Sequence, residues 1–205
     1  MITCKGCVDS AQEFIQDNST PMRDKLVKFF NQYLTELRTE RDWECLKKNV
    51  DIVAASAQIT KPADFERFVY ATDNDSFFLL PKDRVSAEDA FKMPDDVFAV
   101  GPYGFTEEDT TITFHPWVED DTTVSLRYVV KFPAAFVYDD TPSLFPARFS
   151  ELVVRAIMTK YYEYDKDQNA SLSYKIQDRL LSNMKEWDNL QKPRPRNSKY
   201  MRTSR

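Results

Sequence analysis

Between residues 21 and 41 apolar side chains return every third or fourth position. Met22, Leu26, Phe29, Phe30, Tyr33, Leu34 and Leu37 make one stripe, the pattern of an amphipathic helix. Thr20 stands where it can cap this helix, and Pro21 suits the first turn, which needs no amide donor. A shorter helix is predicted over residues 9–16, with Ala11, Phe14 and Ile15 on one face. Trp43 follows the long helix as a ring large enough to plug it onto a sheet. Near the other end Pro146 opens a second strong helix, with Phe149, Leu152, Val153, Ala156, Ile157, Tyr161 and Tyr164 on one side. Asp165 to Asn169 is a polar break. A last helix over residues 169–190 turns Ala170, Tyr174, Gln177, Leu181, Met184 and Trp187 inward. Two such helices joined by a short polar loop form an antiparallel αα-hairpin.

From about residue 48 to 133 the period falls from 3.6 to two. Residues 49–53 alternate. Residues 68–72, a turn at 73–75, and residues 77–80 read as strand, turn, strand. Residues 111–114 and 123–130 alternate again, the latter with Val124, Leu126, Tyr128 and Val130 on one face. Residues 116–121 between them read as a hairpin-type connection. Residues 81–104 are a longer insertion with a helical turn at 86–91. The fold class is α+β. Helices from both ends of the chain form a bundle, a small antiparallel β-sheet or barrel lobe is inserted at about 48–133, and an extended tail follows. No internal repeat and no long linker appears, so residues 1–191 read as one domain and residues 192–205 as an arm.

Hydrophobic residues make up 42% and aromatics 14%, enough apolar surface for a core. No apolar run is long enough to span a bilayer. The first residues lack the basic stretch and apolar run of a secretory signal, so the chain reads as soluble and intracellular, with no membrane partner. Three glycines are too few for a phosphate loop or dinucleotide fingerprint. The one histidine, His115, has no evident nucleophile beside it. Cys4 and Cys7 form a C-x2-C pair, but zinc needs four ligands, and nothing strand-like precedes Cys4 as a redox pair requires. They read as reduced thiols near a helix start. Acidic pairs lie in turns, where solvation explains them. The reading is of no catalytic residues, no metal and no cofactor.

Charge is where the chain is unusual. Residues 192–205, KPRPRNSKYMRTSR, hold six basic residues and no acid. The chain has 28 basic and 33 acidic residues, so removing those six leaves 22 against 33, or about −11, on residues 1–191. An acidic body therefore carries a basic arm. Three uses compete: a solvated terminus, a DNA-facing string that releases counterions from phosphate, and an arm that docks on a partner protein. Pro193 and Pro195 lower the entropy lost on docking, Tyr200 and Met201 supply apolar anchors, and the arginines can grip carboxylates. Phosphate binding needs neither Tyr200 nor Met201.

Several phrases, in order, resemble the bacteriophage head-to-tail adaptor proteins, also called connector or head-completion proteins. Arg41-Asp-Trp43-Glu-Cys-Leu46 is similar to the family's Trp-containing phrase before its first strand. Ile59-Thr-Lys61-Pro62-Ala-Asp64-Phe65 is similar to its LPxDF phrase, with Lys61 where that phrase has Leu. Thr111-Ile-Thr-Phe114-His115-Pro116 resembles the phrase before its hairpin, and Leu126-Arg-Tyr128-Val-Val-Lys-Phe132-Pro133 its Tyr-to-Pro strand. Asp139-Asp-Thr-Pro-Ser-Leu-Phe-Pro146, with Phe149, leads into the first C-terminal helix. The resemblance covers about residues 21 to 190 and leaves the Cys4–Cys7 piece without a counterpart.

The resemblance implies a structural virion protein, not an enzyme, at the head–tail interface and assembled in the host cytoplasm. Such adaptors form a ring, usually of twelve copies, beneath the portal. The ring extends the channel for double-stranded DNA and is a platform for the tail or next ring. The C-terminal segment often lies against the portal. On that basis Lys192, Pro193, Arg194, Pro195, Arg196, Lys199, Tyr200, Met201, Arg202 and Arg205 are candidates for a portal-docking arm. Glu119, Asp120 and Asp121 are candidates for an acidic hairpin facing the channel or tail, where carboxylates would repel phosphate and keep DNA mobile. A small nucleic-acid-binding protein using its basic tail is the alternative.

Overall fold

The computed structural model describes residues 1–56, 58–72, 78–79, 104–115, 121–139, 143–165 and 167–192. The expected turn at 73–75 and helical turn at 86–91 lie outside these. The architecture is α+β, with two compact units. Leu46–Phe132 forms one, and the segments on either side of it form the other.

The flanking segments build a four-helix unit from α1 (Cys4–Ile15), α2 (Thr20–Glu40), α3 (Ser150–Asp165) and α4 (Ala170–Gln191). Helix α1 begins five residues earlier than its apolar pattern suggested. Thr3 caps it, its side chain accepting from the Gly6 amide. The buried stripe is Cys4, Cys7, Val8 and Ala11, at helical spacing, so the two cysteines act as small core residues. Phe14, expected inside, is 59% exposed. Helix α2 is capped by Ser19, not Thr20. The Ser19 hydroxyl accepts from the Met22 amide at 3.4 Å, and Pro21 sits in the first turn as expected.

Helix α3 packs against α1, α2 and α4. It is therefore buried over most of its circumference, from Leu152 to Thr159, where the sequence suggested one face. A short 3-10 turn, Ala147–Phe149, leads into it behind Pro146. Helix α4 turns Ser173, Met184 and Asp188 inward. Tyr174, assigned to the inner stripe by spacing, is exposed, because the Thr159 and Ser173 hydroxyls meet at 2.7 Å and set a more polar seam. Asn31 pins the return of the chain. Its amide donates to the Phe136 carbonyl at 2.8 Å and its oxygen accepts from the Phe136 N–H at 2.6 Å, while Phe30 meets the Phe136 ring edge-on.

Among the described residues the inserted unit has two antiparallel sheets. One has the order β1 (Lys47–Val53), β7 (Thr123–Val130), β3 (Phe65–Thr72), β4 (Phe78–Leu79). The other runs β2 (Gln58–Thr60), β6 (Thr111–His115), β5 (Gly104–Glu107). Strand β7 alternates as its sequence predicts, with Val124, Leu126 and Tyr128 buried. Their core also takes Phe68 and Ala71 from β3, and Ile59, Phe105, Ile112 and Phe114 from the other sheet. The Phe68 and Phe105 rings meet at 3.8 Å between centroids.

Strands β6 and β7, on either side of the expected hairpin-type connection, belong to different sheets, and residues 116–120 between them lie outside the described residues. The Asp121 amide donates to the Ala54 carbonyl at 3.1 Å, and the Ala54 amide to the Thr122 carbonyl at 2.9 Å. The chain entering β7 thus extends the β1 ladder. Alternation marks each strand but not its partner.

Candidate interaction surfaces

Of the arm, Lys192 is described: it is exposed and follows the last residue of α4. Pro193, Arg194, Pro195, Arg196, Lys199, Tyr200, Met201, Arg202 and Arg205 lie outside the described residues. So do Glu119 and Asp120. Asp121 is exposed with φ 65°, a left-handed conformation that Asp tolerates better than most residues. It stands two residues before β7.

The arm's point of departure is well built. Arg41, just past α2, reaches α4. Its guanidinium lies 3.5 Å from the buried Asp188 carboxylate and donates to Asn189 Oδ1 at 2.8 Å. Asp188 in turn accepts from the Glu44 amide at 2.7 Å. Burial raises the Asp188 pKa, while the Glu44 amide, Arg41 and the Cys45 amide oppose that rise. Lys185 bonds Glu40 at 2.5 Å. The last turn of α4 is thus held to the end of α2, yet Leu190, beside the exit, is 76% exposed.

Trp43 is a cap rather than a plug on a sheet. Its indole N–H donates to the Leu37 carbonyl at 2.5 Å, satisfying one of the last carbonyls of α2, and its ring meets Phe145 edge-on at 6.0 Å. Phe145 is also tied to the chain start. The Ile2 amide donates to the Phe145 carbonyl at 2.9 Å, and the Ser143 amide to the Ile2 carbonyl at 2.7 Å. Two phrases distant in sequence, around Trp43 and Phe145, therefore meet.

Within the inserted unit two more phrases meet. The Tyr128 hydroxyl donates to Asp64 at 2.6 Å, and Lys48 reaches the same carboxylate at 3.0 Å. The Tyr128 hydrogen bond, then Lys48, hold the Asp64 carboxyl below its usual range. Phe65 stacks on Tyr128 at 5.6 Å, and the Lys131 amide donates to the Asp64 carbonyl. Lys61, in the Leu position of the family phrase, is an anchor for the turn after β5. Its ammonium donates to Glu107 at 2.8 Å and to the Glu108 and Asp109 carbonyls. Spacing alone did not show these pairings.

A groove of about 430 Å³ opens in the helical unit between the start of α1 and the start of α3. Ile2, Cys7, Ala147 and Val154 give it apolar walls, with Phe14 on its rim and Glu151 as its acid. Burial pushes the Cys7 thiol up to about 12, so it is a wall and not a nucleophile. Among the described residues no group of His, Cys, Asp and Glu could hold a metal, and no helix is long and apolar enough to cross a membrane.

Residues 2–199 match the family model described as SU10 adaptor protein. The chain belongs to the SU10 adaptor protein family. Membership covers the Cys4–Cys7 helix and the first eight residues of the arm, beyond the residue 21 to 190 span of the motif resemblance. No curated protein matches the chain. As an SU10-type adaptor it is a phage structural protein and a virion component. The phrases carrying the resemblance are contact points that hold each unit together: Trp43 with Phe145, and Asp64 and Phe65 with Tyr128.

Proposed function

We propose that this adaptor assembles as a ring, of twelve copies, beneath the portal, extends the DNA channel and gives the tail its platform. The basic arm from Lys192 to Arg205 docks on the portal. The family match carries this reading, since it spans residues 2–199 and so includes most of the arm. The braced exit of α4 supports it. Arg41, Asp188 and Lys185 fix where the arm starts, so less orienting freedom is lost when it docks. The acidic residues Glu119, Asp120 and Asp121 face the channel or the tail and keep DNA from sticking.

Sedimentation with the cognate portal ring tests this. Full-length protein should join the portal in a fixed ring stoichiometry, and a chain ending at Gln191 should stay free. If both stay free, or both join equally, the docking-arm reading is wrong. The acidic residues have their own test. Replacing Glu119, Asp120 and Asp121 by lysine should slow DNA ejection in a salt-dependent way, and unchanged ejection would remove them from the channel wall.

A further inference from the structure

The groove at the start of α1 and α3 lies close to where the arm departs. Ala147 and Ser150 form part of its wall. The two residues between them hold α4. Arg148 lies over the Trp187 ring at 4.4 Å, and Phe149 meets that ring at 5.3 Å. Trp187 precedes Lys192 by five residues, about 8 Å along a helix. From Lys192 to Tyr200 an extended chain spans at most about 28 Å. The arm's apolar pair, Tyr200 and Met201, can therefore reach the groove of the same chain.

We propose that, before a portal is met, the arm docks back on its own chain, with Tyr200 and Met201 in this groove. The proposal rests on the reading of residues 192–205 as a docking arm and adds its regulation. Two features match arm to groove. The groove volume is within the range of pockets that take compact ligands, about 300–1,000 Å³. Its apolar walls and the exposed Phe14 ring offer a surface for Tyr200 and Met201. Its acid, Glu151, lies 3.9 Å from Arg155, whose guanidinium also stands 5.3 Å over the Phe14 ring, so the match rests on shape and apolar surface and not on charge.

Tethering does the rest. A short flexible link gives an effective concentration in the millimolar range, so even weak docking is populated. A docked arm cannot bind a portal, and portal affinity falls by the fraction of arms that are free. A ring of portal sites, engaged by many arms, then outcompetes the groove only where a portal is present.

The test uses the full chain with Ser10→Cys and Thr203→Cys under mild oxidation at micromolar concentration. The control pair is Ser182→Cys with Thr203→Cys, since Ser182 is exposed on α4 outside the groove. An intrachain bond at the Ser10 position should form about tenfold faster than in the control. Phe14→Glu, a change at an exposed side chain, should bring the rate down to the control. Equal rates, or a bond that forms between chains, would overturn the proposal. In a second arm, full-length Phe14→Glu should join the portal several-fold faster than the unmodified chain; an unchanged rate, where the Gln191-terminated chain stays free of the portal, would also overturn it. The crosslink is read without portal. A fast intrachain bond alongside portal binding by the Gln191-terminated chain would therefore sink the portal-arm reading and leave the groove docking standing.

Discussion

Asp188 and Asp64 are two carboxylates with opposite shifts. Asp188 is fully buried and accepts from the Glu44 amide beside Arg41. Deleting it leaves a guanidinium and two amides short of an acceptor. Asp188→Ala should cost about 3 kcal/mol, measured by denaturant unfolding; a loss under about 0.5 kcal/mol would mean water replaces it. Asp64 is half-buried and its carboxyl is held low by Tyr128 and Lys48. Its contribution is present above the ordinary Asp value of about 3.9 and is lost as pH falls through the lower folded value. Asp64→Asn should therefore flatten the acid limb of the stability curve and lower stability near neutrality. Thermal melts from pH 7 to pH 2 would show whether the two curves converge in acid, as this requires.

At the scale of elements, β7 is the organising strand of the inserted unit. It pairs with β1 on one side and β3 on the other, and Leu126 is fully buried between the sheets. Leu126→Ala should cost about 2–5 kcal/mol through lost burial and a cavity. Val53 ends β1 on the sheet edge and is 57% exposed. Val53→Ala should stay within about 0.5 kcal/mol, as for surface changes generally. Equal losses in urea titrations would contradict this arrangement. Helix ends show a similar division. The caps at Thr3 and Ser19 each use a hydroxyl at the correct offset, but the second could not be told from Thr20 by composition, since both residues are capping types.

Charge is a property of the whole molecule. The body carries about −11 and the arm six positive charges. An acidic body repels duplex DNA as the arm attracts it, and screening leaves little net attraction at moderate salt. Full-length protein should not shift a labelled duplex under those conditions. A shift whose affinity falls with salt at about 0.9 per phosphate contact would instead favour the nucleic-acid reading.

The sequence by itself determined the long helices, strand β7, the α+β class, the acidic body with its basic arm, and the adaptor resemblance. These depend on local period, composition and short phrases, which neighbours along the chain specify. It missed the start of α1 because Cys4 and Cys7 read as a C-x2-C pair and were not counted with Val8 and Ala11 in an apolar stripe. Only the tertiary structure decided that β6 and β7 lie in different sheets, that α3 is buried over most of its surface, and that Asp188 is an interior acid. It alone brought Trp43 to Phe145, Tyr128 to Asp64, and the groove close to the exit of α4. Strand partners and buried polar groups are set by residues far apart in the chain, and an alternating or helical pattern reads the same whichever partner it finds.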